Sequence, residues 1–305
     1  EDYTATIVQV LGGLQGGATR IPPISEFVGE QLFDDVFPLR RLRVFGGQLT
    51  MFLHSLGGGT GSGLAPFLAM ELRRRKKGDY FVAISAVQSG GGESAVKTNH
   101  VYNFPRVNSA FDLVLLVETD PLPLLERQRD LILRRYRQHI VADIGESPRY
   151  LSSPNLAVTD RFAVRLVRLL SLLSLSANPG DIRTHMSSGS ESKYEQLAHW
   201  AIPYVWPIDQ DFEDELEGIP PGYYVWRALA EGALCKPSER FRTATHAVVL
   251  LEAPDSYLEQ FPEWEENVTR VLCELTGLDD TRVMKRSIRS GAQGLSLCIL
   301  MGAQA

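Results

Sequence analysis

A glycine-rich stretch between an apolar segment and a helix-like segment is the part of this sequence best suited to chemistry. Residues 57–63 read GGGTGSG, so five of the seven positions have no side chain and the other two carry hydroxyl groups. Glycine lets a backbone approach a ligand closely and adopt positive φ angles. Where such a stretch joins a strand to a helix, the amides and dipole of the helix N-terminus favour a bound anion. The stretch therefore predicts a phosphate-binding loop in which Thr60 and Ser62 add hydroxyl donors, with a flexible surface loop as the alternative.

Two widespread phosphate motifs do not fit these residues. The Walker pattern requires a lysine that is absent here, and Gly-x-Gly-x-x-Gly fails at every starting glycine of the stretch. The stretch instead resembles the tubulin/FtsZ motif Gly-Gly-Gly-Thr-Gly-Ser/Thr-Gly, which it matches at all seven positions, Gly57, Gly58, Gly59, Thr60, Gly61, Ser62 and Gly63. In that family the loop holds the phosphates of GTP. The resemblance therefore implies GTP or GDP as ligand, with Mg2+ as the charge partner of the phosphates and no metal ligand assigned in the chain.

The resemblance implies further nucleotide contacts along the chain. Glu93 of the segment SGGGESAVK stands where the family has a ribose-binding carboxylate, and Lys97 stands where the bacterial branch tends to have arginine. The strand ending LLVETD offers Glu118 and Asp120, and Asn155 stands where the family supplies an asparagine to guanine. A solvated loop charge is the alternative for Glu93, and a helix cap is the alternative for Asn155.

An earlier glycine cluster, GGLQGGATR at 12–20, adds Gly16, Gly17 and Thr19 as candidates for the γ-phosphate side of the nucleotide. The family also has a strand and a glycine-rich loop much further ahead of its motif. The cluster therefore matches a later phosphate-contacting loop, and we expect no counterpart of the first strand in these 305 residues.

Two alignments are open for the catalytic loop, which in the family carries Asn-x-Asp-x-x-Asp/Glu and acts on GTP held by the neighbouring subunit. Directly after a long helix, SANPGD supplies Asn178 and Asp181. An alignment through LAHWAIPYV gives Glu191 and Glu195 instead. The sequence favours Asp181, because the loop should follow the central helix directly. A helix cap is the structural alternative for Asp181, and a solvated helix charge is the one for Glu195.

The elements that must position these residues indicate an α/β fold. Short apolar strands are predicted at 49–56, 80–87 and 111–118, with a helix over 64–79. Strands separated by helices favour a mostly parallel sheet with helices on both faces. An apolar helix over 155–176 has apolar positions on more than one face, as expected of a buried connecting helix.

The last third of the chain predicts a smaller α/β unit. It contains a strand at 244–253, an amphipathic helix at 262–277 closed by glycine, and strands at 281–288 and 294–303 joined as a hairpin. We therefore predict three parts: a GTP-binding domain at 1–154, the connecting helix at 155–176, and a C-terminal α/β domain at 177–305 that begins with the catalytic loop.

Composition narrows the class of protein. The net charge of -6 gives no broad basic field for nucleic acid or anionic lipid. Three cysteines without CxxC spacing fit a reducing compartment, and no residues have the spacing of a zinc site. The sequence has neither a secretory leader nor an apolar run long enough to span a membrane, so we expect a cytoplasmic protein.

The resemblance implies a cytoskeletal GTPase that assembles head to tail into protofilaments and hydrolyses GTP at the subunit contact. Filament-binding accessory proteins are possible partners under that interpretation. A GTP-binding relative with weak or no hydrolysis, acting as a scaffold or regulator, is the alternative that the degenerate SANPGD segment favours. An unrelated nucleotide-binding enzyme is the third interpretation.

Overall fold

The computed structural model describes residues 21–36, 49–75, 80–87, 94–118, 185, 199–207, 218–231, 244–290 and 295–303. The elements follow in chain order as α1 (Pro22–Val36), β1 (Leu49–Ser55), α2 (Thr60–Arg75), β2 (Tyr80–Val87), α3 (Ser94–Ala110), β3 (Leu113–Glu118), β4 (His199–Pro207), α4 (Pro221–Glu231), β5 (Ala244–Pro254), α5 (Asp255–Gln260), α6 (Trp264–Thr276), β6 (Val283–Ser290) and β7 (Ser296–Ala303). The predicted strands and the glycine-closed helix near 262–277 are confirmed, with boundaries shifted by a few residues.

The strands form one seven-stranded sheet in the order β1-β2-β3-β4-β7-β5-β6. Strands β1, β2, β3 and β4 run parallel to one another, and β5 runs parallel to β6. Strand β7 is antiparallel to both β4 and β5. The predicted α/β class with a mostly parallel sheet is therefore confirmed for the described residues.

The predicted hairpin of the last two strands is wrong. Strand β5 lies between β6 and β7, so these two strands are not neighbours. Strand β6 carries Lys285, Arg286 and Arg289, and charged side chains suit the edge of a sheet. The residues of β5 between His246 and Ala253 are buried, as expected of an interior strand covered on both faces.

Helix α2 begins four residues before the predicted start at 64, inside the glycine stretch. Its first turn carries no acidic residue, and Arg73, Arg74 and Arg75 form its last turn. Pro66 lies within the helix and has no N–H to donate to the Ser62 carbonyl. The helix persists because its inner face packs on the sheet.

Apolar side chains form two core clusters. One surrounds β1 to β3 and includes Leu56, Phe81 and Phe111. The other lies between β4 to β7 and the helices α4 and α6, and includes Tyr204 and Leu272. The division into two domains stays a prediction, and the helix predicted at 155–176 lies outside the described residues.

Candidate phosphate-binding site

Strand pairing delivers the chain to the glycine stretch. The Leu56 amide donates to the Ala86 carbonyl at 3.0 Å, so the parallel ladder continues one residue beyond β1. The Gly57 amide then donates to the Ser55 hydroxyl oxygen at 3.3 Å. Because Leu56 is also buried, the start of the loop is fixed against the sheet.

Four consecutive carbonyl groups of the loop accept hydrogen bonds from side chains. The donors are Asn103 Nδ2 to the Leu56 carbonyl at 3.3 Å, Asn99 Nδ2 to the Gly57 carbonyl at 3.0 Å, Ser62 Oγ to the Gly58 carbonyl, and Ser25 Oγ to the Gly59 carbonyl at 2.9 Å. The Gly59 carbonyl also accepts from the Gly63 amide at 3.3 Å, which is the first hydrogen bond of α2.

The held carbonyls fix where the amides of the loop point. In a planar trans peptide the C=O and the following N–H point in opposite directions, and the described residues contain no cis peptide bond. The amides of Gly58, Gly59 and Thr60 therefore point away from Asn99, Ser62 and Ser25. These amides lie at the N-terminus of α2, where the helix dipole is positive. The arrangement is suited to binding a phosphate or another anion.

The glycines of the loop are required for space and not for positive φ. Among the described residues the glycines with positive φ are Gly218 and Gly277, so the expected positive φ in the loop is wrong. A Cβ at Gly61 would lie 3.2 Å from the Ser55 nitrogen, and one at Gly63 would overlap the Pro22 carbonyl and the Ser25 hydroxyl. A Cβ at Gly58 would have nothing nearer than Ser55 at 3.9 Å, so the backbone is open to a ligand there.

His54 supports the loop from beneath. Its side chain is 8% exposed, and its Nε2 lies 2.9 Å from the Ser85 hydroxyl oxygen. The ring stacks on Phe111 with a centroid distance of 5.9 Å. Burial lowers the pKa of His54 to about 4, so the ring is neutral near pH 7. His54 is therefore a neutral, buried residue of the core next to the loop.

Comparison with solved structures identifies the fold. CetZ2 from Haloferax volcanii in a GTPγS-bound protofilament matches with a TM-score of 0.65 and 18% identity over 94% of this chain and 75% of that chain. The GDP-bound CetZ1 monomer from the same organism matches with a TM-score of 0.63 and 17% identity over 96% of this chain and 76% of that chain. The chain has the tubulin/FtsZ fold.

A third structure with the tubulin/FtsZ fold, CetZ from Methanosaeta thermophila strain DSM 6194, gives a TM-score of 0.58. It is 17% identical over 92% of this chain and 68% of that chain. No protein-family model and no curated protein matches the sequence.

Two other predicted nucleotide contacts fall on described elements of the tubulin/FtsZ fold. Glu118 is the last residue of β3 and lies opposite Val87 in register, at the same carboxyl edge of the sheet as the loop. Lys97 lies in α3, two residues before Asn99. The side chains of Lys97 and Glu118 are outside the described part of the chain, and their roles stay predictions.

The remaining predicted site residues lie outside the described residues. They are Gly16, Gly17, Thr19, Glu93, Asp120 and Asn155 for the nucleotide, and Asn178, Asp181, Glu191 and Glu195 for catalysis. Their roles, and the choice between the two alignments of the catalytic loop, stay predictions.

Ser25, Asn99 and Asn103, which donate to the loop carbonyls, were not among the site residues predicted from the sequence. Asn99 and Asn103 are spaced four apart and both buried on one face of α3. Two buried asparagines at this spacing indicate backbone groups nearby that need donors. The sequence shows the spacing of four residues, whereas the burial is seen only in the structure. Ser25 gives no such signal, because it is a single serine without a second polar residue at helical spacing that shares its role.

The described part of the chain contains neither a cluster of metal-ligating side chains nor a helix that could span a membrane. No group of three or more His, Cys, Asp or Glu side chains there could hold a metal ion. No described helix is both long enough and apolar enough to cross a membrane.

Proposed function

We propose that this chain binds GTP and GDP through the loop at 57–63. The observation that carries the proposal is the row of carbonyls held on one side, which directs the amides of Gly58, Gly59 and Thr60 the other way at the start of α2. The motif GGGTGSG and the nucleotide-bound structures with the same fold support guanine nucleotides as the ligand class.

Mg2+ is the proposed charge partner of the phosphates. Mg2+ at nucleotide sites usually keeps several waters and takes its other ligands from phosphates and one or two side chains. The Ser62 hydroxyl is buried and donates to the Gly58 carbonyl, so it is engaged within the loop. The phosphates and water would therefore supply most of the ligands on this side of the site.

Head-to-tail assembly with hydrolysis at the subunit contact is the proposed consequence of binding. The CetZ2 structure is a GTPγS-bound protofilament, and the two chains share the fold over most of their length. Heterologous contacts of this kind produce open filaments when they do not close into a ring. We place this activity in the cytoplasm, since the cysteine spacing suits a reducing compartment.

Calorimetry with GTP and Mg2+ tests the binding step. Gly58→Asp places a carboxylate beside the amides without a steric clash, because a Cβ there has open space around it. We expect Gly58→Asp to abolish GTP binding by repulsion, while Gly58→Ala retains the fold and weakens binding less. Unchanged GTP affinity in Gly58→Asp, or equal affinity of the wild type for ATP, would contradict the proposal.

The alternative function is a scaffold that binds GTP without hydrolysing it. The SANPGD segment favours this alternative, because it keeps only the final acidic residue of the family pattern. Light scattering and phosphate release with GTP and with GTPγS separate the two functions. Polymer with turnover supports the GTPase, whereas polymer without turnover supports the scaffold. If Glu195→Ala abolishes turnover and Asp181→Ala does not, the second alignment of the catalytic loop is correct.

A further inference from the structure

Three buried polar side chains from two helices donate hydrogen bonds to carbonyl groups at the start of the glycine stretch. Ser25 is in α1, and Asn99 and Asn103 are in α3. All three are buried, and each donates to a loop carbonyl that precedes an amide at or near the start of α2. None of them belongs to the GGGTGSG motif.

The orientation of the Asn103 amide follows from its partners. Its Nδ2 donates to the Leu56 carbonyl at 3.3 Å and to the Asn99 carbonyl at 2.8 Å, and both partners are acceptors. The NH2 group must therefore face the loop. Its Oδ1 is buried and has no partner among the described residues, which costs free energy of folding. The folded structure tolerates the unpaired Oδ1, because the opposite orientation of the amide would remove both hydrogen bonds that Nδ2 donates.

Helices α1 and α3 are joined next to these side chains. The Arg106 guanidinium of α3 pairs with the Glu26 carboxylate of α1, and it lies 4.5 Å from the centroid of the Tyr102 ring. Glu26 follows Ser25 directly, and Arg106 lies three residues after Asn103. The ion pair therefore links the two helices that supply the donors.

We propose that Asn99, Asn103 and Ser25 are positioning residues of the phosphate loop. They act on the phosphates through the backbone. Asn99 and Ser25 hold the Gly57 and Gly59 carbonyls so that the amides of Gly58 and Thr60 face the ligand, and Asn103 holds the Leu56 carbonyl where the chain enters the loop. The proposal rests on the proposed function, because its effect is read as affinity for a phosphate-bearing nucleotide. Beyond the proposed function, it names the residues that hold the loop in its binding conformation before the nucleotide binds.

Matched asparagine substitutions on α3 test the proposal. Asn99→Leu and Asn103→Leu remove the donors and keep a similar volume. Asn108→Leu is the control, because the Asn108 Oδ1 accepts from the Trp200 indole at 3.1 Å and leaves the loop donors in place. Calorimetry with GTP and Mg2+ gives the dissociation constant and the binding stoichiometry separately. We expect Asn99→Leu to raise the dissociation constant roughly tenfold with unchanged stoichiometry, since an unsatisfied carbonyl lets the loop rotate.

The ligand series distinguishes positioning from a general loss of stability. The ratio of mutant to wild-type dissociation constants should be largest for GTP and close to one for guanosine, which has no phosphate. Asn99→Gln, which keeps the amide donor, should recover part of the GTP affinity. A lower stoichiometry with an unchanged dissociation constant would show a purely structural role and overturn the proposal, as would wild-type affinity in Asn99→Leu.

A measurement made without nucleotide shows whether the positioning contact exists, independently of whether the protein binds GTP. In glycine labelled with carbonyl 13C, Asn99→Leu should shift the Gly57 carbonyl resonance, and Asn108→Leu should not. Absence of that shift would overturn the positioning contact whatever the protein binds. If Asn99→Leu shifts the resonance but the wild-type protein does not bind GTP, the contact is correct and the proposed function is wrong. The positioning role for a nucleotide is then overturned as well.

Discussion

The carboxylate of Asp112 accepts hydrogen bonds from both terminal nitrogens of the Arg73 guanidinium, at 3.2 and 2.8 Å. It also accepts from the Phe81 amide at 2.8 Å, and Arg73 donates to the Ala110 carbonyl at 3.2 Å. These contacts fasten the C-terminal turn of α2 to the beginning of β2 and to the α3–β3 connection. The other end of the same helix presents the loop amides, so this ion pair fixes the helix that bears the candidate site.

Asp112→Ala should lower the free energy of unfolding by about 2 kcal/mol, because it leaves the buried Phe81 amide without an acceptor and the Arg73 charge unpaired. Urea unfolding checks this value. Glu71→Ala is the control, since the Glu71–Arg74 pair has an exposed arginine and should contribute only about 0.5 kcal/mol. Equal losses in the two variants would contradict a special role for Asp112.

Two alanine substitutions in the glycine stretch should differ strongly in their effect on folding. Gly63→Ala should cost roughly 1–3 kcal/mol, because its Cβ would overlap the backbone of α1 at Pro22. Gly58→Ala should change stability by no more than about 0.5 kcal/mol, because its Cβ enters open space. Thermal unfolding of both variants, without nucleotide, checks the difference. A more stable Gly63→Ala than Gly58→Ala would show that α1 does not pack on the loop as described.

The buried imidazole of His54 should make the fold sensitive to acid. Burial lowers its pKa from 6.5 to about 4, so between these values the unfolded chain binds more protons than the folded one. The free energy of unfolding therefore falls as the pH decreases through this window, by about 3 kcal/mol from this residue. Urea unfolding at several pH values should show a shallower dependence in His54→Gln. The pH dependence that remains in His54→Gln includes a contribution from His100, whose pKa is also lowered by burial. An unchanged pH dependence in His54→Gln would contradict the contribution assigned to His54.

The end of α6 should depend on glycine at position 277. Gly277 has φ 77° in the left-handed region, and its amide donates to the Cys273 carbonyl at 2.8 Å. Gly277→Ala should lower the free energy of unfolding by about 1 kcal/mol, because a Cβ is unfavourable at this φ. Gly277→Asn should cost less, since asparagine tolerates this region better. Chemical unfolding of the two variants measures the order, and the reverse order would contradict the explanation.

The strands could be predicted from the sequence because each is a short apolar run, and the glycine closing α6 gave its end directly. The position of β6 at the edge could also have been predicted, since Lys285, Arg286 and Arg289 are poorly suited to an interior strand. The hairpin of β6 and β7 was predicted because these strands are adjacent in the chain. Their actual pairing depends on burial, since the apolar strand β5 lies between them and the charged strand β6 lies at the edge.

The start of α2 could not be predicted from propensity, because glycine disfavours helix and Gly61 and Gly63 lie in its first turn. Contacts with distant residues decide this start: Ser25 holds the Gly59 carbonyl, and α1 occupies the space beside Gly63. For the same reason the motif revealed the loop but not the side chains that orient it. The donors lie 34 to 47 residues from their acceptors in the chain.

The central place of β7 in the sheet has a consequence for biosynthesis. A ribosome makes Ser296–Ala303 after every other described strand, yet this strand alone connects β4 with β5. While β7 is still inside the exit tunnel, the nascent chain holds two unjoined groups of strands, each with an apolar edge exposed. Chaperone binding during translation should therefore persist until Ser296–Ala303 has emerged from the tunnel.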